Sequence, residues 1–402
     1  MPETNIAITG LGAISACGNN IKDTLRNFSC GARNAGKVSL FESGLDYPVF
    51  QINNFTPLEP IAMRTLNLAF QATQEAIVEA GFENGFGNLR VGICLGTTVA
   101  SQLNDIDFYR VYREKGSAPL DSIDRFLKGN LAAGVAKSLK IQTRLCCTIV
   151  NACSSGTDAI GVGVSWLRND YCDMVIAGGA DELNRVPLDG FGSLSVVSKS
   201  LCAPFDRDRA GLNLGEGAGI LILEQEAIAR EWGKTPTLFL KGYGLAADAY
   251  HLTAPRPDGS GLEQALERAL GEANIQPKDV AFVNAHGTAT KDNDLVEGKV
   301  LARVFGQKIK FLSTKGFTGH TLGAAGGLEA VFTCLGLRDG WIPASPGFLN
   351  LDPEIGIAPV NQRTQINGNY AVSTSLAFGG NNSALVISRH PALSGIAPVL
   401  SR

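Results

Sequence analysis

The sequence has no long apolar run and no basic segment ahead of one. No stretch approaches the roughly 18 consecutive apolar residues that a membrane-spanning helix needs. The first residues, MPETNIAITG, lack the basic stretch and apolar core that are typical of a signal peptide. The sequence therefore predicts a cytoplasmic protein with no membrane partner.

Charge of one sign is not concentrated anywhere in the chain. The 35 Lys and Arg residues are balanced by 38 Asp and Glu residues, which gives a net charge of −3. A nucleic-acid-binding domain would instead carry a basic stripe or patch. We therefore expect no nucleic-acid partner, whereas a small basic patch for an acidic protein remains compatible with the sequence.

The cysteines form no pattern typical of disulfides or metal ligands. There are nine of them, only Cys146 and Cys147 are adjacent, and no C-x-x-C spacing occurs. An odd number of cysteines cannot pair completely. We expect reduced thiols, most of which act as small buried hydrophobic residues, and no metal site.

The chain does contain a regular alternation of short apolar runs and longer segments of helical period. Its 402 residues, 45% of them hydrophobic, are enough for a large core or two fused lobes. The alternation predicts an α/β fold with mixed or mainly parallel sheets. Strands are predicted at 5–13, 90–96, 173–181, 218–224, 279–287 and 371–378, and helices at 61–80, 153–168, 260–273 and 325–337.

Two similar apolar segments, 218–226 and 383–390, each end a strand-rich half of the chain. No Pro- or Ser-rich linker separates these halves. The pattern predicts two related lobes that share one core, with a seam near residues 226–240.

The segment around Cys153 predicts a nucleophile. The small residues of NACSSG (151–156) permit a sharp strand-to-helix turn that places the sulfur at a helix start. There the helix dipole and free backbone N–H groups favour the thiolate, which is the nucleophilic form. For a cysteine considered alone, an inert thiol buried in a turn is the more common alternative.

Two of the four histidines lie between small residues. His286 follows a predicted strand in NAHGTATKDND (284–294), and His320 lies in the Gly-rich segment STKGFTGHTLGAAGG (313–327). Small neighbours let a substrate approach closely, while packing is an equally weighted alternative for either histidine alone. Together with the cysteine turn, the two histidines favour an active site.

Two further features accompany these histidines. Lys315 and Glu329 flank His320 with opposite charges and predict a partly buried ion pair. An exposed pair of little energetic value is the alternative. The Gly-rich segment SLAFGGNNSALVIS (375–388) could donate backbone N–H groups into an oxyanion hole, with Phe378 as a gate, or form a simple hairpin.

Together these segments resemble the β-ketoacyl-acyl carrier protein synthases of the elongating type, classes I and II, within the thiolase-fold superfamily. The resemblance runs from ITGLGAIS to AFGGNNSALV, and three motifs agree in order and spacing: NACSSG, NAHGTAT and STKGFTGHTLGAAG. It implies a thiolase-like, internally duplicated α/β fold with five αβαβα layers and mixed sheets. It also implies an N-terminal half, 1–230, that carries the cysteine, and a C-terminal half, 231–402, that carries both histidines.

The resemblance implies a decarboxylative Claisen condensation that uses no cofactor. Cys153 would accept the acyl group, while His286 and His320 would promote decarboxylation of a malonyl thioester. Backbone N–H groups of Cys153 and Phe378 would hold the tetrahedral oxyanion. Further implied residues are the supporting pair Lys315 and Glu329 and the substrate-binding residues Thr288, Thr290, Phe378 and Gly379.

An acyl carrier protein is the implied partner, and a homodimer the implied assembly, with a heterodimer as alternative. Elongating synthases commonly carry a basic cluster on the helix after residue 60, but 62–76 contains only Arg64. A role in a specialised lipid or polyketide-like pathway is therefore an alternative to a role in fatty-acid synthesis. The basic residues that could replace the cluster are Arg110, Arg113, Lys115, Arg125, Lys128 and Lys199.

Single positions distinguish this chain from related enzymes and from proteins of other function. His320 departs from the Cys-His-Asn set of initiating class III synthases, and the lack of a cysteine after Cys334 departs from thiolases. A nicotinamide-dependent dehydrogenase is suggested only by Gly10 and Gly12, because Ser15 replaces the third glycine of the fingerprint. An inactive chain-length-factor-like partner would typically lack the nucleophile that is present here.

Overall fold

The protein is built around a ten-stranded mixed sheet, and a second sheet has two short strands. A computed structural model describes residues 5–55, 63–100, 103–121 and 130–390. The strands are β1 (Ile6–Ser15), β2 (Val91–Gly96), β3 (Leu145–Ile149), β4 (Met174–Asp181), β5 (Gly217–Gln225), β6 (Leu238–Ala247), β7 (Val280–Asn284), β8 (Phe311–Leu312), β9 (Trp341–Ile342), β10 (Thr364–Gln365), β11 (Tyr370–Ala377) and β12 (Asn381–Arg389).

Helices connect most of these strands, as the sequence pattern predicts. The α-helices are α1 (Ile21–Cys30), α2 (Arg64–Glu79), α3 (Leu103–Lys115), α4 (Leu131–Ser138), α5 (Ser155–Arg168), α6 (Arg185–Ser193), α7 (Glu226–Glu231), α8 (Ser260–Glu272), α9 (Lys291–Phe305), α10 (Lys315–Thr318) and α11 (Ala325–Asp339). Two 3₁₀ turns span Pro277–Asp279 and Leu322–Ala324.

The strand order repeats between the two halves of the sheet. It is β3-β2-β4-β5-β1 in the first half and, counted from the opposite edge, β8-β7-β11-β12-β6 in the second. The antiparallel pairs β1–β5 and β4–β5 correspond to β6–β12 and β11–β12. The parallel pairs β2–β3 and β2–β4 correspond to β7–β8 and β7–β11. The predicted internal duplication is therefore confirmed.

Helices cover both outer faces and also fill the space between the halves. The helices α5 and α11 each contact strands of both halves, whereas α2 packs on the first half and α8 on the second. This arrangement produces the five αβαβα layers. Residues 325–337 of α11 are buried, as expected for a helix enclosed on all sides. The close approach of α11 to β5 requires Gly327, because a Cβ there would lie 2.3 Å from the Gly219 carbonyl oxygen.

The observed elements differ from the predicted ones mainly at their ends. The predicted strand 279–287 ends at Asn284, and residues 285–287 leave the sheet in the loop that carries His286. The predicted helix 61–80 is observed as Arg64–Glu79, and residues 61 and 62 lie outside the described residues. The edge strand β3 was expected only as the strand before the Cys153 turn, without bounds, since its side chains are only partly buried and form no long apolar run.

The two glycines that suggested a dinucleotide-binding turn lie inside β1. A Cβ on Gly10 would lie 2.1 Å from the Ala76 carbonyl oxygen, and one on Gly12 would lie 1.9 Å from that of Ala72. A dinucleotide fingerprint places its glycines in the turn between a strand and a helix, but β1 continues to Ser15. These glycines therefore allow α2 to pack closely on the sheet.

Among the described residues, no helix is both long and apolar enough to cross a membrane. The same residues contain no group of three or more His, Cys, Asp or Glu side chains that could hold a metal ion. All nine cysteines are free thiols.

Candidate active site

Cys153 lies in a sharp turn between β3 and α5. Ala152 adopts a left-handed conformation with φ of 48°, which reverses the chain just before the thiol. The carbonyl oxygen of Ala152 accepts hydrogen bonds from the Ser155 hydroxyl at 2.6 Å and the Thr98 hydroxyl at 2.9 Å. These contacts hold the turn, and Cys153 is 4% exposed.

Burial controls the protonation of this thiol. Loss of solvation raises the pKa of Cys153 to about 11, although the Lys315 ammonium and the Phe378 backbone N–H oppose the shift. The position at a helix start was expected to favour the thiolate, but desolvation outweighs that effect here. At neutral pH the group is therefore a thiol that must lose its proton during the reaction.

The pH dependence of Cys153 alkylation tests this pKa. Because the pKa is raised, the thiolate fraction should rise about tenfold per pH unit from pH 7 to 9 without levelling off. Iodoacetamide labelling followed by peptide mass spectrometry would measure the rate at Cys153, with a free cysteine peptide as reference. A rate that reached its plateau below pH 8 would show that the thiol is acidic and would contradict the expectation.

The imidazole of His286 is oriented by Lys315. The Lys315 ammonium lies 3.0 Å from Nδ1 of His286 and donates to its carbonyl oxygen at 2.6 Å. An ammonium group can only donate, so Nδ1 is the acceptor and the proton of the neutral ring is on Nε2. The backbone of His286 is held as well, because its N–H and that of Gly287 each donate to Glu297 at 2.8 Å.

His320 has the same tautomer for a different reason. The backbone N–H of Leu322 donates to Nδ1 of His320 at 3.1 Å, which again leaves the proton on Nε2. Leu322 has φ of 53°, the left-handed conformation, in the short turn that follows the histidine. The two imidazole rings meet edge to face with centroids 5.2 Å apart.

Both histidines are neutral at physiological pH. Burial, followed by repulsion from the Lys315 ammonium, lowers the pKa of each imidazole well below its usual value. A neutral imidazole with an Nε2–H group donates a hydrogen bond, but it is a much weaker acid than the protonated imidazolium. The pair can therefore stabilise negative charge on an oxygen between them.

Lys315 and Glu329 form a direct ion pair behind the histidines. Both side chains are almost completely buried, at 2% and 3% exposure. The exposed-pair alternative is therefore wrong, and burial is deeper than the sequence predicted. Desolvation raises the pKa of Glu329 to about 7, although Lys315 opposes the shift.

Replacing Lys315 with Met should destabilise the protein strongly. The change leaves the buried Glu329 carboxylate without its cation, and breaking a buried pair in this way typically costs about 3–5 kcal/mol. The free energy of unfolding from urea denaturation would measure the loss. Lys37→Met removes the exposed pair with Asp46 and should cause no measurable change. Equal stability of the two variants would contradict the structural role of Lys315.

A cavity of about 320 Å³ joins the reactive groups. Its walls include six predicted site residues: Cys153, His286, His320, Thr288, Thr290 and Phe378. Lys315 and Glu329 are not among the lining residues and act from behind them. The prediction for Gly379 differs from the structure, because this residue is exposed, does not line the cavity and donates its N–H to the Leu252 carbonyl oxygen.

The segment 375–388 adopts the hairpin that was one of its two predicted alternatives, and the role of Phe378 in an oxyanion hole stays a prediction. It forms the antiparallel hairpin of β11 and β12, with Phe378 at the turn. The Phe378 ring lines the cavity and contacts Phe191 at a centroid distance of 5.3 Å. Its backbone N–H faces the Cys153 thiol and acts to lower the pKa of that group. A hairpin turn thus supplies both a donor and an aromatic wall.

The candidate basic residues for a carrier protein are dispersed. Arg64 is unavailable, because its guanidinium forms a bidentate pair with the buried Glu216 carboxylate at 2.6 and 2.7 Å. Arg110, Arg113 and Lys115 lie on α3, and Lys199 is exposed in the loop after α6. Arg125 and Lys128 lie outside the described residues.

Two family models match most of the chain. Residues 3–229 match the model "Beta-ketoacyl synthase, N-terminal domain", and residues 238–349 match "Beta-ketoacyl synthase, C-terminal domain". The chain belongs to the β-ketoacyl synthase family. It is therefore a condensing acyltransferase, which agrees with the family that the motifs suggested.

Individual members of the β-ketoacyl synthase family resemble the chain over nearly its full length. A 3-oxoacyl-[acyl-carrier-protein] synthase 2 of Staphylococcus aureus (strain N315) is 33% identical over 96% of this chain and 99% of the relative. The ishigamide ketosynthase/chain length factor structure superposes with a TM-score of 0.91 at 28% identity, covering 97% of this chain and 100% of the other. The ketosynthase ApeO in complex with its chain length factor ApeC from Xenorhabdus doucetiae has a TM-score of 0.80 at 29% identity, with 96% and 98% coverage.

Two residues that hold the site were missed in the sequence. Glu297 lies eleven positions after His286 in α9, and Asp181 ends β4 far from every motif. Each residue has a small neighbour, Gly298 and Ala180 respectively, but no spacing relative to the motifs indicates their contacts. Their buried position next to the motifs became evident only from the folded chain.

Proposed function

We propose that this synthase condenses an acyl thioester with malonyl-acyl carrier protein and releases β-ketoacyl-acyl carrier protein and carbon dioxide. The pathway would be fatty-acid or related polyketide-like lipid synthesis. One observation carries the proposal: Cys153, His286 and His320 line the same cavity, and both imidazoles carry their proton on Nε2. A nucleophile next to two neutral donors matches the needs of acyl transfer followed by enolate formation.

In the first step, the Cys153 sulfur attacks the carbonyl carbon of the acyl thioester. The tetrahedral oxyanion would accept hydrogen bonds from the backbone N–H groups of Cys153 and Phe378. The bond from the acyl carbon to the pantetheine sulfur then breaks, and the thiol proton ends on that sulfur. The helix dipole of α5 favours the negative charge that passes through Cys153 during this transfer.

In the second step, the malonyl group loses carbon dioxide. The bond between the carboxylate carbon and the malonyl Cα breaks, and its electron pair forms a thioester enolate. The enolate oxygen would accept hydrogen bonds from Nε2–H of His286 and of His320. Because the departing carboxylate supplies the electron pair, the step needs stabilisation of the developing charge and no strong base.

In the third step, the enolate carbon attacks the acyl group on Cys153. A carbon–carbon bond forms, the carbon–sulfur bond to Cys153 breaks, and the released thiolate takes up a proton. The buried Lys315–Glu329 pair would hold His286 in place throughout. Thr288 and Thr290, whose hydroxyls are 2.8 Å apart on the cavity wall, would bind the pantetheine arm.

We also propose that residues 1–230 supply the nucleophile and residues 231–402 supply the histidines. The two family matches and the repeated strand order support this division. A cytoplasmic homodimer is the proposed assembly, since β3 lies at the edge of the sheet with partly buried apolar side chains and edge strands favour pairing. A heterodimer is the alternative, because two structural relatives are described with a chain length factor.

Incubation with a panel of acyl carrier protein thioesters tests the proposed function. Mass spectrometry of the intact chain should show acyl groups that load on Cys153, and later addition of malonyl carrier should release a β-ketoacyl product. A chain that neither loads nor condenses with any thioester would overturn the proposal. The identity of the loading groups separates fatty-acid elongation from a specialised pathway, and co-purification from the native host separates a homodimer from a heterodimer.

A further inference from the structure

A fully buried carboxylate joins two loops of the active site. Asp181 ends β4, and both of its oxygens accept two hydrogen bonds. Oδ1 accepts from the Thr97 hydroxyl at 2.6 Å and the Val99 N–H at 3.1 Å. Oδ2 accepts from the N–H groups of Thr98 at 2.8 Å and Gly323 at 2.7 Å.

One loop holds the turn that carries Cys153, and the other contacts His320 directly. The loop at 97–99 follows β2, and its Thr98 hydroxyl donates to the carbonyl oxygen of Ala152, directly before Cys153. The turn Leu322–Ala324 contains the N–H of Leu322 that donates to Nδ1 of His320. The carboxylate therefore lies one contact away from the cysteine turn and one contact away from the histidine.

We propose that Asp181 is a positioning residue that fixes the distance and orientation between Cys153 and His320. The inference rests on the proposed function, because it assigns the two groups to acyl transfer and decarboxylation. The cysteine belongs to the first half of the chain and the histidine to the second. The carboxylate clamps the loops of both halves at the point where these groups meet.

The four donors explain why the residue is an aspartate. All four are uncharged, and three of them are backbone N–H groups that cannot rotate to become acceptors. Only an ionised carboxylate offers two oxygens without a proton, whereas asparagine would direct an NH₂ group against a backbone N–H. Burial raises the pKa of Asp181 to about 6, so the group is ionised in an assay at pH 7.5.

The packing around Gly323 shows how closely the clamp fits. A Cβ at this position would lie 2.7 Å from Oδ2 of Asp181 and 2.6 Å from the backbone carbon of Thr97. Real side chains do not approach so closely, so glycine lets the histidine turn touch the carboxylate directly. A displaced turn would rotate His320, and a displacement of about 1 Å near reacting groups can reduce a rate by roughly a hundredfold.

Asp181→Asn tests the inference through the two half-reactions. We expect Cys153 acylation and malonyl-carrier decarboxylation each to fall about 10- to 100-fold in kcat. The KM for the carrier substrates should change less than about threefold, because the carrier-binding surface is not touched. Intact-protein mass spectrometry and carbon dioxide release measure the two rates, and circular dichroism measures the folded fraction.

Two further variants keep the test decisive. Glu75→Gln removes a carboxylate that accepts backbone N–H bonds from Ala13 and Ile21 away from the cavity, and it should leave both rates unchanged. Thr97→Val removes one donor to Asp181 and should reduce both rates about threefold to tenfold, even if Asp181→Asn does not fold. The inference is overturned if folded Asp181→Asn keeps the wild-type kcat for both steps, or if its loss of activity lies in KM alone. It is also overturned if Thr97→Val carries out both steps at the wild-type rates. A wild-type chain that fails to condense would instead refute the proposed function.

Discussion

Replacing Cys153 with alanine should reduce condensation by at least about 10⁴-fold, because no covalent acyl intermediate can form. The expected result is the complete absence of an acyl adduct in the intact-protein mass spectrum. The remaining activity would be measured as the amount of β-ketoacyl-acyl carrier protein that forms, determined by chromatography of the released product. The side chain is small and buried, so its loss should not prevent folding.

Cys17→Ala is a matched control for this experiment. Cys17 is buried like Cys153, and desolvation raises its pKa even further above the usual value. It lies outside the cavity, so the variant should load acyl groups at the wild-type rate. Condensation by the Cys153→Ala protein at a rate near that of the wild type would refute the covalent mechanism.

Replacing either histidine with alanine should chiefly impair malonyl decarboxylation. Each substitution removes one of two donors to the enolate oxygen, and loss of one such donor typically costs about 10²- to 10³-fold in kcat. Cys153 acylation should persist in both variants, because neither imidazole is assigned to the oxyanion of that step. Release of carbon dioxide from malonyl carrier protein, compared with acyl loading of the same sample, separates the two effects.

A variant that keeps a donor makes this prediction sharper. His320→Asn retains an amide N–H and should decarboxylate faster than His320→Ala, as expected if the role of the residue is hydrogen-bond donation. His251→Ala removes an exposed histidine that does not line the cavity and should behave as wild type. Decarboxylation at the wild-type rate in both alanine variants would show that the imidazoles do not stabilise the enolate.

Much of the fold could be predicted because its signals are local. Apolar runs such as 173–181 and 218–224 reappear as β4 and β5 with their ends displaced by at most one residue. The strand at 279–287 was predicted too long, since the apolar pattern continues into the loop at His286 although the hydrogen bonding stops at Asn284. The bounds of the edge strand β3 were not predicted, because a partly buried strand does not require a long apolar run.

The sequence by itself determined the family and the cysteine and histidine motifs. These depend on residue type, small neighbours and order along the chain. Only the tertiary structure decided that Cys153 is a thiol with a raised pKa, that Arg64 is bound to Glu216, and that both histidines carry their proton on Nε2. Desolvation sums over all surrounding atoms, and contacts such as Asp181 to Gly323 join residues 142 positions apart. No local pattern encodes such quantities, because they depend on which distant segments the fold brings together.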